Sequence, residues 1–112
     1  IYQNKFKDSN IELLEVPKNT YSSVHLVVAR LTNSTEEEHK EIFKKLRSSG
    51  IGVQLHYAPV HLQPHYKKAG FKEGQYKNAE VYAKTALSIP VYPGLTNEEQ
   101  DYVCEKIKEV TQ

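Results

Sequence analysis

A chain of 112 residues is the size of one domain. It can bury roughly 60–70% of its unfolded surface, enough for one core and too little for a large cleft between two lobes. Fifteen basic residues balance 14 acids to a net charge of +1, and both signs alternate along the predicted helices, so no nucleic-acid footprint exists. No apolar run approaches the ~20 residues of a membrane span, and no basic segment precedes an apolar one as in a signal peptide. The single Cys104 excludes an internal disulfide framework and suits a reducing, cytoplasmic setting.

The chain opens on Ile1-Tyr2, which reads as the tail of something longer, and Lys5 to Asn10 reads as a polar linker or turn. Ile11 to Val16 is a candidate strand closed by Pro17 and the turn-forming Lys18-Asn19-Thr20. Ser23 to Leu31 is a stronger one. Val24, Leu26 and Val28 share one face, and His25, Val27 and Ala29 share the other, so the strand belongs in the middle of a sheet. The link between the two suits an antiparallel hairpin.

Ser34 and Thr35 each precede a glutamate by three residues, so a capping box can form in either register. This explains Asn33-Ser34-Thr35 better than a glycosylation site does. His39, Ile42, Phe43 and Leu46 form the apolar stripe of the helix, with His39 a packing residue at its edge, and Gly50 supplies the left-handed stop. Ile51 to Tyr57 reads as a third strand. Pro64 starts a short helix that Gly70 ends. Asn78 to Leu87 reads as a helix with Ala79, Tyr82, Ala83 and Ala86 on its packing face, and Ser88 to Val91 as a brief extended piece. Thr96 and Glu99 cap the last helix, whose seam is Val103, Ile107 and Val110, with Cys104 a small buried hydrophobe beside it. The fold class is α+β: two layers, with a small mixed or antiparallel sheet and helices mainly on one face.

The segment from Gly50 to Tyr66, GIGVQLHYAPVHLQPHY, carries three of the five histidines. Three readings compete for it. His56, His61 and His65 have the spacing of a metal site on a helix, but Pro59 and Pro64 break such a helix and no cysteine or carboxylate lies within the segment. A ligand-binding loop would use the histidines as donors and the faces of Tyr57 and Tyr66, stiffened by proline. An ordinary connection would use the same rings to cover the core. Ser22, Ser23 and Ser48 lack a nucleophile-elbow context, and no phosphate-binding glycine loop is present.

Two ordered motifs stand out. Gly50, Ile51, His56, Tyr57, Pro59 and His61 match a Gly-Ile-x-x-x-x-His-Tyr-x-Pro-x-His run. Leu87, Ser88, Pro90, Tyr92, Leu95, Thr96, Glu98 and Glu99 match a Leu-Ser-x-Pro-x-Tyr-x-x-Leu-Thr-x-Glu-Glu run. His25, Leu26 and Arg30 match a His-Leu-x-x-x-Arg strand. With these, nearly the whole chain resembles the C-terminal part of the DegT/StrS family of sugar aminotransferases. Val60 to Pro64 resembles the branch that makes UDP-4-amino-4,6-dideoxy sugars, the pseudaminic-acid type included.

The resemblance implies the small domain of a fold type I enzyme: residues 1–10 as the end of an interdomain linker and 11–112 as the small domain. It implies pyridoxal phosphate as cofactor, glutamate as amino donor and a keto group of a nucleotide-linked sugar as acceptor, in bacterial surface-glycan synthesis. It further implies a large N-terminal domain that carries the catalytic lysine and the cofactor contacts, and a homodimer of the full-length chain. No lysine here matches the family's lysine motif. The expectation is therefore a fragment without catalytic or cofactor-binding residues, inactive and cofactor-free alone, whose Gln54, His56, Tyr57 and His61 contact the nucleotide-sugar. The competing expectation is a stand-alone module that binds a phosphorylated or nucleotide-linked sugar.

Overall fold

The computed structural model describes residues 2–7 and 9–112. Ile1 of the expected tail and Asp8 of the expected turn lie outside the described residues. The elements run α1 (Tyr2–Lys5), β1 (Ile11–Leu13), β2 (Val27–Leu31), α2 (Glu36–Ser48), a 3-10 turn (Val60–Leu62), α3 (Pro64–Lys68), α4 (Lys77–Thr85), β3 (Ala86–Ile89) and α5 (Asn97–Thr111). The three strands form one antiparallel sheet in the order β1-β2-β3. The α+β reading is correct, and the sheet is antiparallel throughout.

β2 is the middle strand, as its two apolar faces require. Ala29 and Leu31 point into the main core with Ile11, Leu87 and Ile89. Val28 is buried on the opposite face. α2 contributes Ile42 and Leu46 to the core, and α5 contributes Val103, Cys104 and Ile107. Cys104 is a buried packing residue, and burial pushes its thiol above the ordinary value.

The helix ends follow the sequence closely. Of the two possible capping boxes before α2, the chain forms the one on Thr35. Its Oγ1 accepts from the Glu38 N–H at 3.2 Å while the Glu38 carboxylate accepts from the Thr35 N–H at 2.7 Å. The same box closes on Thr96 and Glu99 before α5. α2 ends in a Schellman turn. The Ile51 N–H reaches the Leu46 carbonyl at 3.0 Å and the Gly50 N–H reaches Arg47 at 3.1 Å, with Gly50 at φ 79°. The helix therefore hands Ile51 directly to the core beside Leu46.

Four expectations need correction. First, β2 starts at Val27 and not at Ser23. Val24 sits at φ 49°, in the left-handed region that suits a β-branched residue poorly, and its N–H bonds the Ser22 hydroxyl and not a neighbouring strand. Pairing of β1 correspondingly stops near Leu14. Second, Ile51 to Tyr57 is not a ladder strand. The Val53 N–H turns back onto the Ile51 carbonyl at 2.9 Å, which leaves one isolated bridge, Gln54 to Ser88. Third, α4 stops at Thr85, because Ala86 and Leu87 pair with β2. Its buried side centres on Glu80, while Ala79 is exposed. Fourth, the segment before Asn10 is not simply a polar connector. Tyr2 and Phe6 are buried in the core, and the Tyr2 hydroxyl donates to the Pro90 carbonyl at 2.8 Å. Burial pushes that phenol up to about 12.

His39 is the packing residue expected, buried between α2 and the start of β3. The Ala86 carbonyl 3.1 Å from its Nε2 can only accept, so Nε2 carries the hydrogen and Nδ1 does not. Burial holds the ring below the ordinary histidine value.

Leu46→Ala should cost about 2–5 kcal/mol in urea unfolding, because Leu46 is fully enclosed in the core. Leu14→Ala, at a largely exposed position, should change stability by about 0.5 kcal/mol at most.

Candidate functional site

Ser88 organises the candidate site. On one side it pairs with Val28 of β2. On the other, its N–H donates to the Gln54 carbonyl at 2.8 Å and its carbonyl accepts from the Gln54 N–H at 3.1 Å. Its own side chain is buried, and its hydroxyl lies 2.6 Å from His56 Nδ1. Two backbone bonds and one side-chain bond thus fix the Gln54–His56 segment against β3. The Tyr57 ring meets the His56 ring edge-on at 4.7 Å.

This segment forms part of a cavity of about 690 Å³, a volume suited to a small organic ligand. Gly50 to Gly52, Gln54 and His56 line one side. Pro90 to Tyr92 and Leu95 line another, and the first turns of α5 supply Glu98, Glu99 and Tyr102. His25 and Leu26, just before β2, close the ring. The Tyr102 hydroxyl donates to the Ser49 carbonyl at 3.0 Å and so ties α5 to the end of α2 beside the cavity. The cavity is mostly apolar, with imidazole, amide, phenol and carboxylate groups at its margin.

The expected site residues part company here. Gln54 and His56 share the cavity. Tyr57 is exposed and lines a second, smaller hollow of about 280 Å³, to which His56 also contributes. His61 is buried, lines neither, and bonds Glu80 through Nε2 at 2.8 Å. The Tyr76 ring packs edge-on against it at 4.8 Å. Both Glu80 oxygens also accept from the Gly74 N–H, at 2.8 and 3.0 Å. Burial alone would raise the Glu80 carboxyl. The hydrogen bonds from His61 and from the Gly74 and Tyr76 backbone outweigh it and hold the group below the ordinary glutamate value.

Among the described residues, no three His, Cys, Asp or Glu side chains converge as a metal site would require. The main cavity offers neither a lysine amine nor an arginine. Its residues therefore do not by themselves fit pyridoxal phosphate, which needs an amine for its aldehyde and donors for its phosphate. Ser88, Glu80, His25 and Tyr102 were not among the expected site residues. Ser88 is the serine of the Leu-Ser-x-Pro-x-Tyr run, which by itself assigns it no role. For Glu80 the available signal was an acid flanked by small and aromatic residues on a helix.

The profile of the DegT/DnrJ/EryC1/StrS aminotransferase family matches residues 1–108. The chain belongs to this family. It is 35% identical over 109 residues to the pleiotropic regulatory protein of Geobacillus stearothermophilus, covering 96% of this chain and 29% of that one. It is 30% identical over 103 residues to the UDP-4-amino-4,6-dideoxy-N-acetyl-beta-L-altrosamine transaminase of Campylobacter jejuni, covering 91% of this chain and 27% of that one. Among solved structures it resembles Spr1654 of Streptococcus pneumoniae, assigned as a sugar aminotransferase and solved in apo, PLP and PMP forms. The TM-score is 0.92 at 32% identity, with 98% of this chain and 28% of Spr1654 aligned. The chain thus spans less than a third of the length of these relatives. Among the described residues no helix is long and apolar enough to cross a membrane.

The Glu80 shift has a definite pH consequence. A carboxyl held below its unfolded value contributes stability that is complete above about pH 4.5 and fades as the pH falls through the folded value. Urea unfolding from pH 6 down to pH 3 should show this loss, and Glu80→Gln should remove Glu80's part of it.

Proposed function

We propose that this chain is the small C-terminal domain of a sugar aminotransferase, and that its Gln54–His56 edge is one wall of the nucleotide-sugar site. The observation that carries the reading is the built edge itself. Ser88 holds Gln54 and His56 at the margin of a cavity of about 690 Å³, within the two motifs shared with the family. The Gln54 amide can donate and accept, and the imidazole can donate to a phosphate or a sugar hydroxyl. Tyr57 is assigned a contact from the adjoining hollow, at the edge of the same wall.

The proposed acceptor is a keto group on a UDP-linked deoxysugar, with glutamate as amino donor. The likeness to the Campylobacter transaminase supports this choice. Pyridoxal phosphate would supply the electron sink and carry the amino group, and its lysine, phosphate and ring contacts are assigned to a large domain outside these residues. In this scheme the small domain binds and orients the sugar and covers the reacting centre from water. The whole protein is proposed to act as a cytoplasmic homodimer in surface-glycan synthesis.

The second reading, a stand-alone module for a phosphorylated or nucleotide-linked sugar, is favoured by the completeness of the core. Among the described residues no buried side-chain polar atom lacks a partner. An upstream reading frame that encodes a lysine-bearing large domain decides for the enzyme, and a start codon directly before Ile1 decides for the module.

In the full-length enzyme, His56→Ala or Gln54→Ala should raise the KM for the UDP-linked keto sugar about 5- to 30-fold, the loss of one ligand hydrogen bond. The cofactor absorbance should stay unchanged. An unaltered KM would count against this wall. The 112-residue chain mixed with pyridoxal phosphate should show no stable imine band in the visible spectrum beyond that of exposed lysines. A stable, stoichiometric band would sink the assignment of the cofactor elsewhere.

A further inference from the structure

The main core contains Val53 and next Leu87, and nothing between. The intervening stretch, 54–85, is an arm with a small packing system of its own. Tyr66 meets Phe71 edge-on at 5.9 Å, Phe71 lies 6.3 Å from Tyr76, and Tyr76 packs on His61. Within the arm, the buried residues among those described are His61 and Glu80. Their bond joins the 3-10 turn to α4 across 19 positions, and the Gly74 N–H adds the 70–76 loop to the same carboxylate. The 3-10 turn begins three residues after Tyr57. The proposed wall is therefore held at one end by Ser88 and at the other by His61.

We propose that His61 and Glu80 form a buried clasp that positions the His56–Tyr57 wall, so that His61 tunes sugar affinity without touching the sugar. This rests on the wall binding the nucleotide-sugar, as proposed above. A direct ligand contact would need an accessible imidazole nitrogen aimed at a cavity. His61 instead is 7% exposed, commits Nε2 to Glu80 and lines none of the cavities described. The His61 and Glu80 side chains are both buried, so removing either partner leaves the other without its counterpart, which costs more than the bond is worth. The arm, and not the core, should absorb the disturbance.

The test uses the full-length enzyme with His61→Ala, Glu80→Ala, the double variant, and the conservative His61→Gln and Glu80→Gln, with His56→Ala as reference. Two readouts are taken: hydrogen–deuterium exchange at the Gly74 amide, and the KM and kcat for the UDP-linked keto sugar. His61→Ala and Glu80→Ala should each speed Gly74 exchange by about tenfold or more and raise KM by similar factors. The double variant should go no further than the singles, and kcat should move less than KM. His61→Gln, whose amide can still donate to Glu80, should recover most of both effects. A KM raised by His61→Ala but untouched by Glu80→Ala would make His61 a direct contact and overturn the proposal. Gly74 exchange unmoved by both alanine variants would overturn the clasp itself. A KM unmoved by His56→Ala would overturn the wall as the sugar-binding surface, and the Gly74 readout would still judge the clasp separately.

Discussion

The arrangement turns on one buried serine. Ser88 lies on a strand whose four residues are all buried, so every polar group there must find a partner inside the protein. Its backbone lies opposite Val28 in the ladder and bonds Gln54 through both its N–H and its carbonyl, and its hydroxyl is taken by His56. A sheet edge that would otherwise expose unpaired N–H and C=O groups is covered by the Gln54 bridge at Ser88 and, at Ala86, by His39 and the Tyr82 carbonyl. The irregular segment that closes it carries Gln54 and His56, the side chains proposed to meet the sugar. Satisfying β3 and presenting Gln54 and His56 are thus the same structural act.

Around this serine the molecule has two packing systems. The antiparallel sheet, α2 and α5 share one core, and the hydroxyls of Tyr2 and Tyr102 fasten its outer pieces to backbone carbonyls. The arm from Gln54 to Thr85 is organised around a buried carboxylate and an aromatic row. A cavity margin built where the two parts meet gains fixed geometry from the core.

Local rules made much of the fold legible. Thr35 with Glu38 and Thr96 with Glu99 form their boxes where the pattern put them, since a capping box needs only residues three apart. Gly50 ends α2 for an equally local reason, and the two apolar faces of Val27–Leu31 require a central strand. The site was legible only in part. Gln54 and His56 share a cavity, but His61 faces inward. Its partner lies 19 residues away and Ser88 lies 32 residues from His56, separations that no periodic pattern encodes. The missing third strand has a similar cause: the Val53 N–H bonds backward to Ile51, a choice that alternation of apolar residues does not reveal.

From sequence alone came α2 and α5 with their caps, the α+β class, the family and the segment proposed to bear the site. These depend on interactions within a few residues, or on ordered motifs that survive without knowledge of the third dimension. Only the tertiary structure decided which histidine faces the cavity and which is buried, and that a serine and a glutamate hold them. The reason is that burial and hydrogen-bond satisfaction are properties of segments brought together across the chain. The same imidazole stands at a cavity margin or is buried inside according to whether a distant hydroxyl or carboxylate arrives beside it.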